Sequence, residues 1–441
     1  MFTNGWSSAH RIKGKTDLPK SDFLIYNNCM ERKNKAKGFF ATWSLVRKKN
    51  KLTKAKKTNA LAKSPKKPTK KTVNKPKTLI KKPRKLMRTQ AKKSKITAKK
   101  PRKFPNKKAL TRFEENPIIQ PKAENDWEAW QTFNPGVIML DNVVHFLYRA
   151  IGEDGLSRFG YAKSRDGVKI DDRLSYPVYE HKLSRSPSVN YYSFVSGGGF
   201  GGTEDPRIVR VDDEDRPYVT YTACDNGLGV AIISIKVEDF LSKKWDWSVP
   251  QLISQPGEVH KNWVIFPEKI KGKYAILHSI SPEIQIEYVE SLDFAEGQVI
   301  QSHYQNIPNH NRWDSWVRGA GAPPVRTEHG WLLFYQAMEG NDFSKYKVGV
   351  MLLDLNDPTK IISRAKEPVL EPEESYEFEG FKPGVIYVTG AVVRDGILMV
   401  YYGSADSHVS VACASLDKFV HALLKEDKPK LKVKRKIVKK R

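Results

Sequence analysis

From Phe113 onward, short runs of β-branched and aromatic residues alternate with Gly, Asp and Asn, and a helical period is nearly absent. One exception closes the region: SLDKFVHALLKED, from Ser415, puts Phe419, Val420, Leu423 and Leu424 on one face and predicts a helix. Strands at this density suggest a sandwich, a barrel or a propeller. An internal repeat decides between them. NPGVIMLDNVVHFLYRA is echoed by EDPRIVRVDDEDRPYVTYTA, FPEKIKGKYAILHSI, APPVRTEHGWLLFYQAM and TGAVVRDGILMVYYGSAD, each followed by another apolar strand. Taking Pro135, Pro206, Pro267, Pro324 and Ala391 as equivalent gives steps of 71, 61, 57 and 67 residues. Such steps suit four-stranded blades with variable loops. The expected fold is all-β, a five-bladed β-propeller with a short C-terminal helix. In such a fold the first strand of each blade lines the central channel. Asn134, Glu204, Asp205, Arg207, Glu268, Lys269 and Thr389, all early in their repeats, are then expected to converge at one mouth.

Charge divides the chain differently from its total. The net +28 hides 37 basic against 3 acidic residues in positions 1–112, and 9 basic residues with no acidic one in positions 428–441. Residues 113–427 carry 31 basic and 46 acidic groups, so an acidic body of net −15 is expected between basic ends. The stretch KSPKKPTKKTVNKPKTLIKKPRK holds too little apolar surface to offset its ordering entropy. Residues 1–112 are therefore expected to form a largely disordered basic arm, 113–427 a propeller domain, and 428–441 a basic tail. The arm reads either as a solvated linker or as a polyanion contact, nucleic acid included. Cys29, Cys224 and Cys413 supply neither a disulfide framework nor a zinc spacing. No apolar run reaches the roughly 18 residues of a membrane span, and the N-terminus lacks a secretory signal pattern. A cytoplasmic protein without a metal is expected, with a homo-oligomer left open.

GGGFGGTEDPRI is the most specific local string. It sets a carboxylate at a strand start with a cation two residues on. It is not a phosphate loop, because it lacks the Lys-Ser/Thr ending and precedes a strand. From composition alone, a salt-bridged structural acid and a catalytic acid are both open. Aromatics such as Trp127, Trp130, Trp263, Trp313, Trp316 and Trp331 read as core packing or as stacking platforms for a ligand.

Together with FNPGVI, LYRAIGEDGLSRFGYAKSRDG, YVTYTACD, HKNWVIFPEKIKGKYAILH and GAGAPPVRTEHGWLLFYQ, this string resembles glycoside hydrolase family 130 over about residues 130–425. That family comprises β-mannoside phosphorylases and mannosidases. The resemblance implies a five-bladed fold and inversion of configuration. It also implies that Asp205 is the general acid, passing its proton through a sugar hydroxyl to the glycosidic oxygen. Asn134 and Asp406 become candidate sugar contacts. Arg149, Arg207, Lys261, Lys269, His278 and Tyr335 become candidate phosphate or sugar contacts, since phosphate needs several converging donors.

Two positions depart from the phosphorylase pattern. Gln336 follows Tyr335 where a His is expected, and Ser279 follows His278 where an Arg is common. Each loses a candidate phosphate contact and leaves hydrolysis open beside phosphorolysis. Hydrolysis needs a base for water, for which Glu268, Glu283, Glu287 and Asp314 are candidates. The expected partners are an oligosaccharide and, for a phosphorylase, inorganic phosphate as co-substrate, with no other cofactor. The alternative is a non-catalytic carbohydrate- or nucleic-acid-associated protein with a basic arm.

Overall fold

A computed structural model describes residues 110–184, 197–225, 227–303 and 312–425. All of these belong to one compact unit, Pro101–Arg441; the other, Met1–Lys100, lies outside the described residues, as does the basic tail from 428. The described chain is nearly all β, with a short helix at Leu416–Leu424 after Ser415, where the period predicts one. A five-residue helix at Val237–Leu241 was not anticipated.

The strands form five antiparallel meanders. The first comprises Gln131–Leu140, Val143–Ile151, Leu156–Ser164 and Asp172–Arg173; the second comprises Gly201–Arg210, Pro217–Cys224, Leu228–Ser234 and Gln251–Leu252. Parallel pairing of Leu156 with Gly201 and Ser157 with Gly202 merges these two into one eight-stranded sheet. The third has three strands, Val264–Ile265, Tyr274–Ser279 and Gln285–Val289. The fourth opens with Trp316–Ala320 and Val325–Thr327, then runs Gly330–Glu339, Asp342–Leu353 and Ile361–Arg364. Ile386–Arg394, Ile397–Ser404 and His408–Ser415 make the fifth. Its fourth strand comes from the other end of the chain, because Thr111–Arg112 pairs with Ala412 and Cys413. The expected domain boundary after Arg112 therefore falls inside the folded body.

Apolar packing links these meanders in series. Separate clusters join the first to the second (Leu147, Phe159, Tyr221), the second to the third (Ile232, Trp263, Ile276), and the third to the fourth (Phe266, Leu277, Leu333). Another joins the fourth to the fifth and buries the helix through Phe419, Val420 and Leu423. The last sets Val137 and Phe146 of the first against Tyr401 and Val411 of the fifth, so the series returns to its start.

Three meanders share a buried clamp that the repeat pattern did not reveal. Tyr148 donates to Glu128 Oε2 (2.7 Å), which Arg173 also binds (2.6 Å). Tyr335 donates to Asp314 Oδ2 (2.8 Å), which Arg364 also binds (2.5 Å). Tyr402 donates to Glu377 Oε1 (2.9 Å), which Arg112 also binds (2.8 Å). In each the acid precedes the first strand and, counted in order across the sheet, the tyrosine lies on the second strand and the arginine on the fourth. Arg112 thus completes in the fifth meander what Arg173 and Arg364 do within their own.

First strands approach closely where side chains are absent. A Cβ on Gly136 would lie 2.8 Å from the Pro206 carbonyl oxygen, and one on Gly390 would lie 2.9 Å from that of Pro135. Register shifts recur at one level of four first strands, between Phe133 and Gly136, Glu204 and Arg207, Val317 and Gly319, and Val388 and Gly390. Such bulges re-aim side chains that a regular pleat would send into the sheet faces.

Candidate active site

Asn134 and Asp205 occupy the first two bulges in left-handed backbone, at φ 46° and 50°, and Asn262 adopts φ 67° just before the third meander. Asn and Asp enter this region more readily than other β-carbon residues. The first two side chains meet directly, and Asn262 reaches them through Arg207. Asn134 Nδ2 donates to Asp205 Oδ1 at 2.7 Å, and Arg149 Nη1 reaches the same oxygen at 3.2 Å. Arg149 lies 3.4 Å from Glu204 Oε1, and Lys261 Nζ lies 3.0 Å from Glu204 Oε2. The Arg149 guanidinium is held by Ser157 Oγ (2.8 Å) and by the Phe133 ring, 4.7 Å away. Arg207 donates to the Asp205 carbonyl (2.8 Å), the Gly321 carbonyl (2.8 Å) and Asn262 Oδ1 (2.9 Å).

Asp406 borders this cluster from the fifth meander. A Cβ on Gly197 would lie 3.1 Å from Asp406 Oδ2 and 3.4 Å from Arg149 Nη1, so both groups face the same small space. Lys382 pairs with Asp406 at 3.3 Å. Gln131 Nε2 donates to the Asp406 carbonyl (2.7 Å) and to the Gly197 carbonyl (3.1 Å), tying the glycine loop to the site. On the rim, Gly198 packs on the ring of Phe381, which is partly exposed.

The electrostatics set the two aspartates apart. Burial pushes Asp205 up, but Arg149, then Lys261, Arg207 and the Asn134 amide outweigh it, so the carboxyl lies below the usual aspartate range. Burial raises Asp406; Lys382 pulls it back and the Asp205 charge adds to the rise, leaving it above that range. Lys261 is destabilised as a cation by burial, yet Glu204 and Asp205 hold it above the ordinary lysine value. Burial also raises the Tyr387 hydroxyl, with the Asp205 charge second. Glu204 and Asp205 thus form a buried acid pair beside three cations, Arg149, Lys261 and Arg207.

Of the residues singled out in the sequence, the structure brings together Asn134, Arg149, Asp205, Arg207, Lys261 and Asp406. Lys269 is elsewhere. It pairs with Glu214 (3.1 Å) and stacks on Tyr274, beyond the far end of the strand Gly201–Arg210. It lies past the short strand Val264–Ile265, and the third meander reaches the cluster at Lys261 and Asn262, just before that strand, instead. Tyr335 is also removed from the site, since alternation turns its ring into the clamp with Asp314 and Arg364. His278 stands behind the third meander's opening, with Nδ1 on Ser302 Oγ at 2.9 Å and its ring against Trp263. Burial lowers it to about 4, so it is neutral near pH 7. Among the base candidates, Glu283 and Glu287 are exposed, Glu268 pairs with Arg326 on the surface, and Asp314 is enclosed by Arg312 and Arg364. Trp263 and Trp331 are core, while Trp127 and Trp313 stack on the clamp tyrosines.

Asn262, Tyr387 and Lys382 were missed. Asn262 adjoins Lys261 in HKNW, and a lone Asn before a strand was its only signal. Nothing local marks Tyr387 or Lys382.

The described chain is thus a nearly all-β body in which buried carboxylates and cations from several meanders converge on one polar cluster. The family profile described as beta-1,4-mannooligosaccharide phosphorylase matches residues 100–426, and the chain belongs to glycoside hydrolase family 130. A 1,2-beta-oligomannan phosphorylase of Thermoanaerobacter sp. (strain X514) is 36% identical over 312 residues, covering 69% of this chain and 96% of its own. The solved beta-1,2-mannobiose phosphorylase of Listeria innocua, in complex with beta-1,2-mannobiose, aligns with TM-score 0.55 and 25% identity, covering 72% and 99%. A further solved structure, described with family hydrolases that target beta-1,2 mannosidic linkages in Candida mannan, aligns with TM-score 0.56 and 26% identity, covering 70% and 94%.

Proposed function

We propose that the five meanders are the blades of a five-bladed β-propeller whose channel mouth cleaves β-mannosidic linkages by phosphorolysis. The circular series of apolar clusters and the recurrent first-strand bulges support the propeller. The family relatives support β-mannosides as substrates.

One observation favours phosphate over water: Arg149, Lys261 and Arg207 converge on Glu204 and Asp205. Three cations against two carboxylates leave one positive charge. A proton on Asp205 and a phosphate dianion together bring the cluster to neutrality. Phosphate arriving beside Asp205 engages its cations and adds negative charge, both of which raise the carboxyl toward the proton donor the reaction needs. None of the four carboxylates considered as a base for water adjoins the cluster, which weighs against hydrolysis.

In the reaction, Asp205 gives its proton through a sugar hydroxyl to the glycosidic oxygen as that C–O bond breaks. A phosphate oxygen attacks the anomeric carbon from the opposite face, with inversion. The products are α-mannose 1-phosphate and a sugar one unit shorter. Asn134 and Asp406 bind substrate hydroxyls beside Asp205. Incubation with β-1,2-mannobiose, with and without phosphate, tests this: sugar phosphate forms only with phosphate. Free mannose alone in both reactions would establish hydrolysis instead, and no turnover of β-linked manno-oligosaccharides would reject both.

A further inference from the structure

We propose that Asn262 is a positioning residue for Asp205, acting through Arg207 across four meanders. The inference rests on Asp205 being the proton donor. Asp205 sits in left-handed backbone that a residue with a β-carbon holds only under constraint. The constraint on its carbonyl is Arg207, which is about 1% exposed and donates to three acceptors. Two are main-chain carbonyls, of Asp205 and Gly321; the third is the Asn262 side chain.

Asn262 is itself fixed from two further directions. Its Nδ2 donates to the Arg318 carbonyl at 2.9 Å, and its Oδ1 also accepts from the Tyr387 hydroxyl. One amide therefore ties the second meander (Arg207) to the third (its own), the fourth (Arg318) and the fifth (Tyr387). The first strand of the fourth meander makes room for it: a Cβ on Gly319 would lie 2.8 Å from Asn262 Nδ2. The position demands an acceptor toward Arg207 and Tyr387, a donor toward Arg318, and tolerance of positive φ. Asparagine supplies all three. If the amide is lost, the Arg207 fork loses its side-chain anchor and Asp205 loses the reference that sets its height in the channel.

The test compares full-length Asn262→Gly, Asn262→Asp and Asp205→Asn with the parent on β-1,2-mannobiose and phosphate. Asn262→Gly keeps the backbone conformation and removes the amide. Its kcat is expected to fall roughly 10- to 100-fold, with KM within about twofold, as misplacement of a reacting group by about an ångström does. Its alkaline limb moves to higher pH, because a released Arg207 no longer helps Arg149, Lys261 and Asn134 hold the Asp205 carboxyl down. Asn262→Asp keeps the acceptor but not the donor, and falls between Asn262→Gly and the parent in kcat. A folded Asn262→Gly with parental kcat and pH profile overturns the proposal, as does a kcat loss with an unshifted limb. Should Asn262→Gly melt below the assay temperature, parental kcat in Asn262→Asp overturns it. Turnover by Asp205→Asn rejects the proton-donor reading and this inference with it. An inactive Asp205→Asn beside a parental Asn262→Gly rejects this inference alone.

Discussion

Asp205 is a buried acid whose anionic form is favoured by its neighbours. The carboxyl is desolvated, which alone would protonate it, yet Arg149, Lys261 and Arg207 reverse the balance. Asp205→Asn is expected to lower kcat by about a thousandfold, the scale of general-acid catalysis, with the fold intact by circular dichroism. The pH dependence follows with a definite sign. A donor works only while protonated, so activity falls as pH rises through its pKa. The neighbouring cations hold that pKa low; under the proposed phosphorolysis, phosphate would draw off those cations and raise it. The alkaline limb of turnover should therefore move to higher pH as phosphate is raised at fixed sugar, and a limb indifferent to phosphate would contradict the electrostatic coupling. The place of Asp205 in a buried polar cluster was legible in EDPR together with the family resemblance, whereas its charge balance was not. Arg149 and Lys261 lie 56 residues away on either side of it, and only their distances decide which influence wins.

At the level of elements, the tyrosine–acid–arginine clamp explains why Tyr335 is not a site residue. Its hydroxyl donates to Asp314 and accepts from Arg364 in a fully buried position, and a Cβ on the opposing Gly349 would collide with its ring. Tyr335→Phe leaves the buried Asp314 carboxylate short of one donor and Arg364 short of one acceptor. It should lower stability by about 1–3 kcal/mol in denaturant unfolding while leaving kcat within about twofold. A large kcat loss at unchanged stability would return Tyr335 to the site. Repeat reading aligned the strands well, because alternation and turn residues are local signals. It could not separate Tyr335 from Gln336, since neighbours on a strand face opposite sides and only the contacts of each side, Asp314 and Arg364 for Tyr335 and the Val388 carbonyl for Gln336, tell them apart.

Across the whole molecule, the decisive contact joins the two ends of the described body. Leu110 is core, and Thr111–Arg112 supplies the last strand of the fifth meander, where Arg112 meets the fully buried Glu377. A chain beginning at Phe113, the boundary that charge alone suggested, would strand that carboxylate. It should lose at least about 3–5 kcal/mol relative to a chain beginning at Pro101, read as a lower melting temperature, because an uncompensated buried charge remains. Equal melting temperatures would show that the closing strand contributes nothing.

The sequence alone determined the all-β class, the five repeats, the C-terminal helix and the family, because alternation, turn chemistry and motif strings are carried by neighbours along the chain. It also placed Asn134 and Asp205 at equivalent points of their repeats. Only the tertiary structure decided which cations reach them, that Lys269 points to the far end, that Arg112 closes the fifth meander, and that Asn262 joins four meanders at one amide. These are contacts between segments distant in sequence, and a single chain records no partner for a residue until the fold brings the two within hydrogen-bonding distance.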